Sequence, residues 1–264
     1  MAETFAGTKQ VKWNGGVQPE SMEILTGTGG AIVSPTKVGY IIMTSDRAGL
    51  DRKFDAKERN LNKPGVVLCG SMEQLKALAE LNAEIEAFYQ AHWDRDVLLG
   101  CILPWRADAE QHIPQDGSAE LMRDGRKTSC FVIKFGVPSE MVCRELWETQ
   151  GKLVFASSAN PSGKGNRGLV EGIGERIASK VDLIVEANDY VASIQPDATL
   201  ETRYEQGVMV SMVDSEGTLV PLQNGNRDVT PGPVLIRKGL ACTEIMEMMS
   251  EHFISWDYRH GHYY

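Results

Sequence analysis

The sequence predicts a single α/β domain, one mixed sheet flanked by helices. Three observations predict it. Short apolar runs of strand length alternate with charged segments of helical period along most of the chain. Several of those runs follow one another with only a turn between them, which a purely parallel sheet does not allow. And 264 residues can bury about 70–75% of the unfolded surface around one core, without disulfides or a structural metal.

The elements follow in order. Residues 1–20 are polar, carry Gly15, Gly16 and Pro19, and read as a loose lead-in. Gly30-Ala-Ile-Val-Ser-Pro is a strand entering a turn, and Val38 to Met43 is a second strand. Asp46 to Arg59 is charged and helical, and Val66-Val-Leu-Cys is a buried strand after Pro64-Gly65. Ser71 with Gln74 fits a capping box. Leu75, Leu78, Leu81, Ile85 and Phe88 then recur at helical spacing, which predicts one continuous helix. Leu98 to Leu103 and Cys130 to Phe135 are strands. Pro138-Ser139 opens a helix that stops at Gly151. Leu153 to Ala156 is a strand, residues 170–180 are helical, and Leu183 to Glu186, Val208 to Val213 and Val234 to Arg237 are short strands. Thr243 is placed to cap a last helix through Phe253. The division expected is a lead-in over 1–20, one domain over 21–242, and a C-terminal helical extension and tail over 243–264.

Bulk properties narrow the function. Lys and Arg total 27 against 36 Asp and Glu, a net charge of −9. That balance argues against a protein that coats nucleic acid with its whole surface, though a local basic groove stays open. Cys69, Cys101, Cys130, Cys143 and Cys242 form no CxxC pair and mostly sit in apolar runs, as reduced thiols of a cytosolic protein do. There is no apolar signal core and no apolar stretch near the ~20 residues of a membrane span, so the protein is expected in the cytoplasm, without membrane contact. Neither common nucleotide loop, GxGxxG after a strand or GxxxxGK[ST], is present. The tail Arg259-His-Gly-His-Tyr-Tyr264 has two close histidines at a chain end, and a solvated tail explains them better than a metal site.

Three segments carry the chemistry. Ser34-Pro-Thr-Lys-Val-Gly-Tyr40 is a turn after an apolar strand. Lys57-Glu-Arg-Asn-Leu-Asn-Lys-Pro64 places Lys57, Arg59 and Lys63 where they suit phosphate or carboxylate oxygens, or else a solvated helix end. Ser157-Ser-Ala-Asn-Pro-Ser-Gly163 crowds small hydrogen-bonding side chains onto a stiff turn. Alone, it is equally a structural turn or a polar cradle.

The order of these segments resembles the threonylcarbamoyl-AMP synthase family, the YrdC/YciO-like proteins. That pattern runs through a Gly-Gly strand ending in Pro-Thr, then KxR with a later Lys-Pro, then SAN with Ser-Gly, and near the end STxxD and RxG. The counterparts here are Gly29-Gly30 to Pro35-Thr36 with Tyr40 in register, Lys57 and Arg59 with Lys63-Pro64, Ser158-Ala-Asn160 with Ser162-Gly163, Ser211 with Asp214, and Arg237 with Gly239. The resemblance covers residues 22–242.

It implies a twisted mixed sheet with a concave site, and an ATP-dependent nucleotidyltransferase that joins an amine, bicarbonate and ATP into a carbamoyl-adenylate, for tRNA modification. Lys57 and Arg59 would be the catalytic clamp. Those two with Ser158, Asn160, Ser211 and Arg237 would bind the nucleotide, and Thr36, Tyr40 and Lys134 the substrate. ATP and Mg²⁺ would be the cofactors, with no protein metal ligands. The pattern departs at Lys37, where the family has an acid, at Val38, where it has Thr, and at Lys134, where it has Arg. These positions would touch substrate, which leaves two amines open, threonine or a different one. The alternative is a nucleotide-binding or double-stranded RNA- or tRNA-binding protein without synthase activity.

Overall fold

The computed structural model describes residues 7–58, 64–161, 165–166, 168–199, 201–203 and 206–261. Arg59 and Lys63, Ser162 and Gly163, and the His262 end of the tail lie outside the described residues. The strands are β1 (Lys9–Lys12), β2 (Ala31–Thr36), β3 (Gly39–Thr44), β4 (Val66–Leu68), β5 (Leu99–Pro104), β6 (Thr128–Ile133), β7 (Val154–Ser158), β8 (Leu183–Glu186), β9 (Met209–Ser211), β10 (Val234–Arg237) and β11 (Asp257–Tyr258). The helices are α1 (Pro19–Thr26), α2 (Arg47–Lys57), α3 (Met72–Leu78), α4 (Ala83–Asp94), α5 (Ala119–Met122), α6 (Val137–Gln150), α7 (Glu175–Ala178), α8 (Asn188–Ile194) and α9 (Cys242–His252). Among the described residues the strands join into one sheet, ordered β1-β8-β2-β3-β7-β4-β6-β5-β9-β10-β11.

The sheet is mixed, as the sequence predicts. The β2–β3 hairpin, β3–β7, β4–β7 and β5–β6 are antiparallel, while β2–β8, β4–β6 and β5–β9 are parallel. Side-chain alternation sends Val67, Leu99, Phe131, Phe155 and Val210 to one face, where they form the main core with α3, α4 and α9. The other face carries Ile32, Met43, Leu68 and Val154, packed with Leu25 of α1 and Val142 and Leu146 of α6.

Five local expectations change. Within the lead-in expected over 1–20, the described residues 7–20 are not loose. Lys9–Lys12 is an edge strand parallel to β8, and α1 begins at Pro19. Its polar sequence hides it, because only Val11 turns toward the core and the backbone pairing sets the strand. The single helix from Ser71 to Phe88 is two helices. Asn82 breaks the run: its Oδ1 accepts from the Ile85 amide at 3.0 Å and caps α4, while its Nδ2 donates to Val220 O at 2.9 Å. Ser71 does cap α3, at 3.1 Å to the Gln74 amide, but Gln74 reaches back to the Gly70 amide, one residue earlier than a capping box requires. The last helix starts at Cys242 after Ala241, so Thr243 lies inside its first turn and is not the cap. Residues 170–180 split into a 3₁₀ turn, Val170–Ile173, and the short α7.

Candidate functional site

The strand that ends in the SAN turn is longer than its apolar run. Register with β3 pairs Ile42 with Ser157 and Ile41 with Ser158, so β7 carries both serines before the turn begins. The Ala159 amide then donates to Tyr40 O at 2.7 Å, and Asn160 Nδ2 donates to Pro161 O at 3.0 Å. Lys57, at the C-terminal end of α2, comes up behind this wall. It is buried, and its ammonium donates to the Ser158 carbonyl and, at 3.0 Å, to Ser158 Oγ.

The β2–β3 hairpin forms the opposite wall. Thr36 Oγ1 donates to Gly39 O at 2.7 Å and accepts from the Val38 amide at 3.2 Å, closing the turn on itself. Gly39 sits at φ +106°, and a side chain there would collide with Asn166, whose Nδ2 donates to Tyr40 O at 3.0 Å. The Lys37 amide donates to Phe135 O at 2.8 Å, tying the turn to the end of β6. Tyr40 is fully buried; its hydroxyl donates to Asn188 Oδ1 at 2.7 Å and accepts from the Ala187 amide at 2.9 Å. Burial pushes its ionisation well above the ordinary tyrosine range, so it stays a neutral hydrogen-bonding group.

Between the walls lies a cavity of about 440 Å³, within the range of small-molecule sites. Its floor is the sheet itself. Ile41, Val66, Val132 and Met209 present half-buried or buried apolar side chains there, with Gly100 paired between Val132 and Met209. A Cβ on Gly100 would stand 3.0 Å from Cys130 Sγ and 3.3 Å from Val132 Cγ2, so glycine keeps the floor low. Burial holds the Cys130 thiol up at about 12, with Arg237 pulling the other way, so it is a neutral wall atom. Arg237 closes the far side. Its Nε donates to Gly207 O at 2.9 Å, and no carboxylate pairs with it among the described residues.

Of the residues singled out by sequence, Thr36, Tyr40, Ser158, Asn160 and Arg237 line this one cavity. Lys57 stands behind Ser158. Ser211 does not line it: its hydroxyl donates to Val213 O at 3.2 Å, and Met209 of the same strand reaches the cavity instead. Lys134 does not line it either. It sits at φ +53°, stacks on Trp93 at 4.6 Å and pairs with Asp96 at 2.8 Å. Lys37 pairs with the other oxygen of Asp96, also at 2.8 Å. Burial opposes the Asp96 charge, but the hydrogen bonds from Lys134 and Lys37 outweigh it and hold the carboxyl below its ordinary range. Sequence reasoning missed Asp96, Asn166 and Gly100. Only Gly100 carried a signal, as a glycine interrupting an apolar strand.

Among the described residues no three His, Cys, Asp or Glu side chains gather to hold a metal ion. None of their helices is long and apolar enough to cross a membrane.

A mixed, helix-flanked sheet with a cavity of small-molecule size between a hairpin turn and an SAN wall defines the class of this α/β domain. The chain belongs to the Sua5/YciO/YrdC family, whose profile, described as "Telomere recombination", matches residues 25–209. That family includes threonylcarbamoyl-AMP synthases. Among solved structures, the chain is 62% identical to a hypothetical protein from Streptococcus mutans UA159, covering 98% of this chain and 100% of that one with a TM-score of 0.93. E. coli YciO is 16% identical over 88% of this chain and 95% of its own, with a TM-score of 0.60. Sua5 of P. abyssi, solved with L-threonine, is 20% identical over 96% of this chain and 62% of its own, with a TM-score of 0.62. The last two likenesses are of fold. No curated protein matches the sequence.

Proposed function

We propose that the chain is an ATP-dependent nucleotidyltransferase that makes a carbamoyl-adenylate from an amine. One observation supports this most. Thr36, Ser158, Asn160 and Arg237, spread over two hundred residues of chain, line one cavity in a family that includes such synthases. The amine nitrogen attacks bicarbonate carbon, and water leaves to give a carbamate. A carbamate oxygen then attacks the α-phosphorus of ATP. The bond from that phosphorus to its bridging oxygen breaks, and pyrophosphate departs with the electron pair.

In this reading Arg237, without a carboxylate partner among the described residues, answers the phosphate charge. Ser158 and Asn160 hydrogen-bond the nucleotide, and Lys57 fixes Ser158 in place. Arg59 joins Lys57 as the expected clamp by its spacing in the sequence. Magnesium enters with the triphosphate, as MgATP. The apolar floor keeps water from the carbamate, which hydrolyses readily. Five unpaired thiols and the use of ATP suit a cytoplasmic protein.

The test is pyrophosphate release from MgATP with a panel of amines, with and without bicarbonate. Release that needs both bicarbonate and an amine supports the reading. Protein that binds ATP or double-stranded RNA and releases no pyrophosphate with any amine overturns it, and leaves a binding protein.

A further inference from the structure

The wall between the hairpin turn and the end of β6 is apolar throughout. Val38, Leu68, Leu98, Val132 and Phe135 all line the cavity and belong to one hydrophobic cluster. Val38 and Val132 are half-buried at the cavity, while Leu68, Leu98 and Phe135 are buried.

The polar groups nearest this wall are already engaged. The Thr36 hydroxyl closes its own turn through Gly39 and Val38. Lys37 precedes Val38, and Lys134 precedes Phe135, so both cations flank the wall in sequence. Both are turned onto the two oxygens of Asp96, at 2.8 Å each. Lys37 is only 7% exposed at its side chain, and its ammonium also donates to the Asp96 carbonyl. Asp96 and Lys134 both sit at positive φ, so the backbone is bent to bring these three charges together. A hydroxyl or carboxylate pressed against this wall would lose its water, and the apolar side chains of the wall return no hydrogen bond.

We infer that this wall is the side-chain subsite of the amine, and that it selects a branched aliphatic group of about valine size over threonine. The inference rests on the carbamoyl-adenylate reading for the identity of its guest as an amine. Valine and threonine have nearly the same shape, so shape cannot separate them. A site with no polar partner separates them by the cost of stripping water from the hydroxyl. For an apolar pocket facing such an isostere, that discrimination is about 100-fold at most.

The experiment is calorimetric titration of the full chain with L-valine, isobutylamine and L-threonine, each with and without α,β-methylene-ATP. The expected result is a Kd for L-valine at least tenfold below that for L-threonine in one of the two conditions. In Val38→Thr, which supplies a hydroxyl on the same β-branched frame, that ratio falls toward one. Threonine binding as tightly as valine overturns the inference, as does no binding of any of the three, or a ratio that Val38→Thr leaves unmoved. Bicarbonate-dependent pyrophosphate release is measured on the same samples. Selective valine binding without any release keeps the apolar subsite and sinks the synthase reading alone.

Discussion

Replacing Lys57 by methionine removes the ammonium behind the SAN wall and keeps most of the unbranched stem. That ammonium is buried, donates to the carbonyl and the hydroxyl of Ser158, and lies in the last turn of α2. A hydrogen bond from a charged donor contributes about 1.5–3 kcal/mol. A cation at a helix C-terminus adds about 0.3–1 kcal/mol. Desolvation of a buried charge works in the opposite direction, and methionine escapes it. The net expected loss is about 2 kcal/mol, and for a chain of this size each kcal/mol moves Tm by about 2–4 °C, so the melt drops by roughly 4–8 °C. Urea unfolding of Lys57→Met, Ser158→Ala and the double variant isolates the contact. The two changes should couple by at least about 0.5 kcal/mol. An unchanged melt together with strict additivity would refute the claim that Lys57 holds Ser158. In the synthase reading the same variant also loses pyrophosphate release, because the wall it fixes has moved.

Gly100→Val raises the cavity floor beneath any ligand. Crowding against Cys130 and Val132 costs about 1–3 kcal/mol, partly offset by the better strand propensity of valine, so Tm should move by no more than about 8 °C. Binding of the nucleotide or amine should fall at least tenfold, and unchanged affinity would move the site elsewhere. His92 is buried, its Nδ1 lies 2.7 Å from Phe88 O, and burial lowers its pKa to about 4 from 6.5. The unfolded chain therefore takes up the proton first. Stability is full above pH 6.5 and is lost as pH falls toward 4, by up to about 3 kcal/mol. Urea midpoints at pH 7 and pH 4.5 in wild type and His92→Phe check this, and equal slopes in the two proteins would contradict it. Asn82→Ala removes the cap of α4 and its bond to Val220, with an expected loss of about 1–2 kcal/mol read from the urea midpoint.

Much of the fold was legible because it follows from local pattern. The runs at Ala31–Thr36, Leu99–Pro104 and Thr128–Ile133 are strands whose apolar residues join the hydrophobic clusters on the two faces of the sheet. The break at Asn82 was less legible. Its residues keep helical spacing across it, and the polar partner that makes the break favourable, Val220, is supplied from far along the chain. β1 was hidden for a related reason: a polar edge strand earns no apolar period, and β8 alone gives it a ladder.

The candidate site divides along the same line. By itself the sequence determined which segments carry small hydroxyls, amides and cations, and in what order, since turn chemistry and motif spacing are local properties. It thereby placed Thr36, Tyr40, Ser158, Asn160 and Arg237, which share one cavity. Only the tertiary structure decided what each side chain meets. Lys37 and Lys134 look alike in sequence to any phosphate-binding lysine, but Asp96 reaches both from a bend after α4. A side chain's charge is written in its residue type, whereas the partner that engages that charge is set by how distant segments pack.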